Sequence, residues 1–84
     1  MFATPKQQAR LDKFADIFSL GFTEKKYVSY TEDHKDPIIY TIVKNTVYGG
    51  YDESNFKYLS KMGFILVDIY AGKSKQLTIK VRDV

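Results

Sequence analysis

Apolar residues in the first twenty positions recur with the period of an α-helix. They lie three or four residues apart, at Leu11, Phe14, Ala15 and Phe18, and this spacing places them on one helix face. Thr4 and Pro5 precede this pattern, and these residue types are favoured at the N-cap and at the first helical position. Gly21 is suited to the left-handed residue that follows a helix. The pattern therefore predicts a helix over about residues 5–20.

The middle of the chain changes to strand-like segments and then returns to helical spacing. Residues 27–31 and the β-branched run 38–43 are typical of two strands, and residues 46–48 fit a short third strand. Asp52 is a suitable N-cap for a second helix over about 53–62. Phe56, Leu59 and Met62 supply its apolar face, and Gly63 ends it.

The last twenty residues predict a β-hairpin. An apolar run covers residues 64–71, a turn covers 72–74, and apolar and polar residues alternate from 77 to 82. A three-residue loop pairs Ile69 with Leu77 and gives an apolar face of Ile65, Val67, Ile69, Leu77, Ile79 and Val81. The opposite face then carries Phe64, Leu66, Asp68, Tyr70, Thr78, Lys80 and Arg82. A five-residue loop keeps these faces but sets Asp68 opposite Lys80.

These elements together predict a small, single α+β domain over residues 1–84. Their order is α-β-β-(β)-α-β-β, which implies a mainly antiparallel sheet of four or five strands with two helices packed on one face. The two halves also share a pattern of helix, glycine and phenylalanine at an offset of 42 residues. A weak αββ duplication, about 5–44 and 52–84, explains this pattern. The alternative explanation is that any helix that passes through a glycine cap into a strand shows this pattern, without a duplication.

Composition removes most catalytic and metal-binding chemistry. The chain has no cysteine and one histidine, so thiolate metal sites, cysteine nucleophiles and multi-histidine metal sites are excluded. His34 lies among carboxylates at 32–36, a pattern that fits a metal ligand or a general base but fits a solvated turn better. No phosphate-binding or hydrolase motif is present. We therefore expect no enzyme activity, no catalytic residue, no bound metal and no cofactor.

The charge and hydropathy of the chain bear on its location and partners. The net charge is +3 and the isoelectric point is about 9.1, but the basic residues are spread along the chain rather than clustered. No apolar stretch approaches the roughly 20 residues of a membrane helix, and no secretory leader is visible. We expect a cytoplasmic protein with no membrane partner.

The predicted outer face of the sheet is more apolar and aromatic than a solvated surface requires. The candidate binding residues on it are Tyr27, Phe64, Leu66, Asp68, Tyr70, Lys80 and Arg82. Tyrosine and arginine are enriched where proteins bind one another, although tyrosine is also a common strand residue. An alternative interpretation of Asp68 is a solvent-facing acid whose charge is balanced across the sheet by Lys80.

Two functions fit this surface. The first is a non-enzymatic interaction module, meaning an adaptor, inhibitor or modulator that binds a larger protein or pairs with itself as a homodimer. Small host-modulating proteins of phages and mobile elements fit that description. The alternative is single-stranded nucleic-acid binding, in which bases stack on exposed tyrosines while lysines contact phosphates. The ten acidic residues weaken this alternative.

Overall fold

The described part of the chain contains six regular elements in the order helix, strand, strand, helix, strand, strand. The computed structural model describes residues 3–18, 24–30, 38–45, 54–72 and 75–84. The elements are α1 (Pro5–Ile17), β1 (Lys25–Ser29), β2 (Ile39–Asn45), α2 (Ser54–Lys61), β3 (Phe64–Ala71) and β4 (Gln76–Asp83). This order and the α+β class confirm the prediction. The predicted strand at 46–48, Gly21 and Asp52 lie outside the described residues.

The N-terminus of α1 is closed by a reciprocal pair of hydrogen bonds. The Gln7 backbone N–H donates to the Thr4 hydroxyl (3.1 Å), and the Thr4 N–H donates to the Gln7 side-chain oxygen (2.9 Å). This capping box satisfies two backbone donors that the helix itself cannot pair. The helix ends at Ile17, earlier than the predicted end at residue 20. Phe18 occupies a turn, and its ring packs edge-on against Phe14 at a centroid distance of 5.7 Å.

The four strands form one antiparallel sheet in the order β1-β2-β4-β3. Both helices pack on the same face of this sheet, which we call the helix face. The central strands β2 and β4 contribute most of its buried side chains, and the helices cover them. The buried apolar core comprises Leu11, Phe14, Ala15, Phe18, Tyr40, Ile42, Leu59, Phe64, Leu77, Ile79 and Val81.

Polar side chains join strands β1 and β2 to α1 around the rim of the core. The Lys26 ammonium donates to the Asp12 carboxylate at 2.9 Å, and this bond holds the pKa of Asp12 below its usual value. The Lys44 ammonium donates to the Phe18 carbonyl oxygen at 2.9 Å. Two basic side chains on this side of the molecule are therefore already occupied by partners within the chain.

The β3–β4 hairpin follows the five-residue loop near its tip and then departs from both predicted registers. Ala71 lies opposite Leu77 and Asp68 opposite Lys80, but Leu66 lies opposite Val81. Val67 is therefore an extra residue, and it forms a β-bulge that exchanges the two faces of the strand beyond it. Asp68 and Tyr70 remain on the face away from the helices, as predicted.

The bulge makes the predicted placement of Phe64 and Leu66 wrong. Phe64 is only 2% exposed and packs in the core, with its ring 5.7 Å from that of Phe14 and 5.9 Å from that of Tyr40. Ile65 and Val67, which were expected in the core, are exposed instead. A single extra residue thus buries one large aromatic ring at the cost of exposing two smaller aliphatic side chains.

Gly63 allows the chain to turn sharply from α2 into β3. Its φ angle is +81°, and a Cβ atom placed there would lie 3.3 Å from the Arg10 guanidinium. We expect Gly63→Ala to lower the free energy of unfolding by about 1–2 kcal/mol, the cost of a left-handed conformation for an ordinary residue. Urea denaturation would measure this loss. An unchanged midpoint would show that the turn tolerates a side chain.

Candidate interaction surface

The face of the sheet away from the helices, here called the outer face, arranges side chains in rows across the four strands. The strand register defines two rows, Tyr27–Thr41–Lys80–Asp68 and Lys25–Val43–Thr78–Tyr70. Directly opposite side chains in an antiparallel sheet are about 5 Å apart at Cβ. Tyr27 and Tyr70 therefore lie at opposite edges of the sheet, with the side chains of β2 and β4 between them.

Three predicted binding residues come together at the β3 side of this face. Asp68 lies directly opposite Lys80, and the Lys80 ammonium lies 5.9 Å from the centre of the Tyr70 ring. Arg82 follows two residues along β4 and lies opposite Ile65. Tyr27 is 45% exposed but belongs to the far edge. Four of the seven predicted binding residues therefore lie together, and Tyr27 lies at the far edge. The other two, Phe64 and Leu66, lie on the helix face.

The bulge exposes Ile65 and Val67, which were predicted to be buried, beside Leu66 and Tyr70, which were predicted to be exposed. Exposed large apolar side chains are clustered on β3, at Ile65 (37%), Leu66 (43%), Val67 (46%) and Tyr70 (45%). We call these four residues the β3 surface. Residues 65–67 are consecutive, so their side chains emerge on both faces of the strand and around its edge. Strict alternation hides such a cluster in the sequence, because it predicts that every second residue is buried.

Strand β3 has a free edge, since among the described residues it pairs only with β4. The Gly72 N–H donates to the Gln76 carbonyl, and the Val84 N–H donates to the Gly63 carbonyl. Hydrogen-bonded and non-hydrogen-bonded residue pairs alternate along an antiparallel ladder. These two bonds therefore define which residues of β3 bond to β4 and which do not. Leu66, Ile69 and Ala71 consequently direct their backbone N–H and C=O groups away from β4.

One of these outward groups is already occupied. The Ile69 N–H donates to the Asp68 carboxylate at 2.9 Å, so Asp68 protects part of the edge. Bulges and charged side chains are both common devices that limit uncontrolled pairing of edge strands. Asp68 is therefore more than a solvent-facing acid balanced by Lys80, because its carboxylate partly closes the edge at the centre of β3.

A groove of about 320 Å³ lies where α2 meets β3. Its lining is largely apolar and consists of Phe56, Leu59, Ser60, Phe64, Ile65 and Leu66. The exposed side chain of Leu66 therefore lies beside α2 rather than on the outer face. The groove runs alongside the free edge of β3, so the apolar surface and the unpaired backbone groups are continuous.

Thr41, at the centre of the outer face, is fully buried. Its hydroxyl has no hydrogen-bond partner among the described residues, and an unpaired buried polar group costs about 1–3 kcal/mol. We expect Thr41→Val, which keeps the shape and removes the hydroxyl, to raise the free energy of unfolding by about 1 kcal/mol. Thermal unfolding would measure this gain. A lower melting temperature would show that the hydroxyl is paired in solution.

A polar cluster formed by Tyr40, Asp83 and Arg10 lies on the helix face. The Tyr40 hydroxyl donates to Asp83 Oδ2 at 2.9 Å, and Arg10 Nε donates to Asp83 Oδ1 at 2.8 Å. Burial, followed by the hydrogen bond to Asp83, raises the pKa of Tyr40 to about 12. Tyr40 thus remains protonated at neutral pH and is a poor general base. The cluster joins α1 to β2 and β4.

The raised pKa of Tyr40 predicts a loss of stability in alkali. A tyrosine in the unfolded chain ionises near pH 10, whereas Tyr40 in the folded chain ionises near pH 12. Its contribution is therefore fully present below about pH 10 and is lost as the pH rises toward 12. Urea midpoints measured from pH 8 to 12 should fall further for the wild type than for Tyr40→Phe. Parallel curves would contradict this assignment.

The described residues contain neither a metal-binding cluster nor a membrane-spanning helix. Among the described residues, no group of three or more histidine, cysteine, aspartate or glutamate side chains could hold a metal ion; His34 lies outside those residues. No helix in the described part of the chain is long and apolar enough to cross a membrane. Comparison of the chain with protein-family models, with curated proteins and with solved structures finds no match.

Proposed function

We propose that this protein is a non-enzymatic interaction module that binds a larger protein through the β3 surface. The observation that carries the proposal is the exposure of three consecutive apolar side chains, Ile65, Leu66 and Val67, on a strand that pairs only with β4 in the described part of the chain. Apolar clusters with polar surroundings mark protein contacts more often than idle surface. An adaptor, inhibitor or modulator needs no more than such a surface.

The chemistry around the β3 surface supports a protein contact. Tyr70 offers an aromatic ring with a polar end, and Arg82 lies one strand away, opposite Ile65. Tyrosine and arginine contribute strongly to binding when they are desolvated at the centre of an interface. Asp68 and Lys80 add a pair of opposite charges at its border. An apolar centre with a charged border is the usual organisation of a protein interface.

A charge placed at the centre of the β3 surface tests the proposal. We expect Val67→Lys to lose the proteins that a tagged wild-type chain retains from its native host. Val84→Lys is the matched control. Val84 is another exposed valine, but it follows β4 and lies outside the β3 surface. Retention of the same proteins at equal levels by all three chains would overturn the proposal. Light scattering of each chain separates self-association from binding to another protein.

Single-stranded nucleic-acid binding remains the second candidate because Lys80 lies over the Tyr70 ring on the outer face. A base can stack on an exposed ring while the ammonium contacts its phosphate. The matched control is Tyr58 with Lys61, the same pair of residue types 5.5 Å apart on α2. Fluorescence anisotropy with labelled oligo(dT) should then lose binding in Tyr70→Ala but not in Tyr58→Ala. Equal loss in both variants, or no binding at low salt, would exclude this candidate.

A further inference from the structure

We propose that the bound protein supplies an extended, acidic segment that pairs with the free edge of β3 as a fifth strand and lies against α2. This inference rests on the proposed function and specifies the partner's chemistry. Strand addition of this kind obtains affinity from main-chain hydrogen bonds and specificity from pockets beside the edge. Both features are present at β3.

The backbone of β3 provides the hydrogen-bonding groups. Leu66 and Ala71 direct their N–H and C=O groups away from β4, as the bonds of Gly72 and Val84 to the hairpin establish. The Ile69 N–H points the same way and is released if the Asp68 carboxylate swings aside. A strand is eight residues long here, so a segment of similar length can pair along the whole edge.

The apolar groove provides the pocket beside that edge. Alternate side chains of an added strand point to opposite faces of the sheet. Those on the helix face would therefore enter the groove beside Phe56, Leu59 and Leu66. Those on the outer face would lie near Ile65 and Tyr70. The segment accordingly needs apolar residues at alternate positions.

The distribution of charge indicates an acidic segment. Residues 54–84 contain six of the 13 basic residues but only two of the ten acidic residues. One of those acids, Asp83, already pairs with Arg10 at 2.7 Å. Lys80 and Arg82 lie on the outer face, on the strand that pairs with β3, and Arg82 lies directly opposite Ile65. Basic side chains thus lie beside the edge strand on the outer face, and they favour an acidic partner there.

A second copy of this chain fits the edge less well. Val67 and Asp68 lie at the centre of β3, so a full-length antiparallel pair of β3 strands would bring both bulges to the two-fold axis. Two bulges at the same point would leave an unpaired residue on each strand and disrupt the ladder there. The segment therefore comes from another protein.

The first test uses a labelled eight-residue peptide of alternating valine and glutamate, with a valine–lysine peptide as the charge control. We expect the acidic peptide to bind at least tenfold more tightly than the basic one in fluorescence anisotropy. Amide hydrogen exchange then reports the geometry. The amides of Leu66 and Ala71 should exchange at least tenfold more slowly with peptide bound. The Tyr70 amide, which faces β4, should change little.

Matched variants test charge and backbone separately. The double variant Lys80→Glu/Arg82→Glu should weaken peptide binding at least tenfold, whereas Lys6→Glu/Lys13→Glu on α1 makes the same charge change away from the edge of β3. Ala71→Pro removes one outward N–H that the hairpin does not use, and it should abolish binding while Ala71→Ser retains it. If Ala71→Pro does not fold, the wild-type amide exchange still decides the question.

Three results would overturn this inference. They are no binding of the acidic peptide at 1 mM, binding without slower exchange at Leu66 and Ala71, and displacement of the peptide by oligo(dT) of equal charge. These failures remain distinguishable from failure of the proposed function. If Val67→Lys still loses host proteins while the peptide does not bind, the β3 surface binds protein without strand addition. If neither effect occurs, both proposals fail.

Discussion

Replacing Phe64 with alanine should remove about 3–5 kcal/mol from the free energy of unfolding, the usual cost of deleting a buried aromatic ring. Phe64 is 2% exposed and contacts the rings of Phe14 and Tyr40. The Arg10 guanidinium also lies 4.0 Å from the centre of its ring. A chain of this size has a total stability of roughly 4–13 kcal/mol. The variant should therefore be close to unfolding at room temperature, and urea denaturation would measure the loss.

Tyr70 is the matched control for Phe64, because it is an aromatic residue on the same strand but is exposed. Tyr70→Ala should cost less than about 1 kcal/mol. If Phe64→Ala does not fold at all, Phe64→Leu retains much of the apolar volume and should still unfold at a lower urea concentration than Tyr70→Ala. Equal effects of the substitutions at both positions would mean that Phe64 lies on the surface and that β3 has no bulge.

The order of elements could be predicted from the sequence because it depends on local signals. Thr4 and Gly63 act through backbone geometry within a few residues of themselves, and the helical spacing of Leu11, Phe14 and Phe18 needs no knowledge of the sheet. The class of fold follows from the order of these elements. The pairing of Asp68 with Lys80 was likewise accessible, because only a few loop lengths connect the last two strands.

The side-chain placement along β3 could not be predicted in the same way. All of residues 64–67 are apolar, so alternation cannot decide whether Phe64 or Ile65 is buried. The decision depends on long-range packing, because the ring of Phe64 fills the space between α1 and β2. The bulge at Val67 allows this arrangement while the register at Asp68 is kept. The exposure of Ile65 and Val67 could not be predicted for the same reason.

Replacing Asp83 with alanine should cost about 2–3 kcal/mol, the second-largest expected effect. Its carboxylate accepts hydrogen bonds from Tyr40 and Arg10, and bonds to a charged group contribute about 1.5–3 kcal/mol each. The side chains of Arg10 and Asp83 are partly exposed, so water screens their share. The Tyr40 hydroxyl is left without this acceptor in a buried position. Asp16→Ala, at an exposed position on α1, is the control and should change stability by less than about 0.5 kcal/mol.

A double-mutant cycle separates the loss of this network from a general loss of charge. Tyr40→Phe should be destabilising in the wild type and nearly neutral in Asp83→Ala, because the hydroxyl has already lost this acceptor. The expected coupling is about 1 kcal/mol or more, measured from the four urea denaturation curves. Additive effects would mean that Asp83 stabilises the chain through Arg10 alone. In that case burial alone would raise the pKa of Tyr40, and the alkaline loss of stability in Asp83→Ala would be as large as in the wild type.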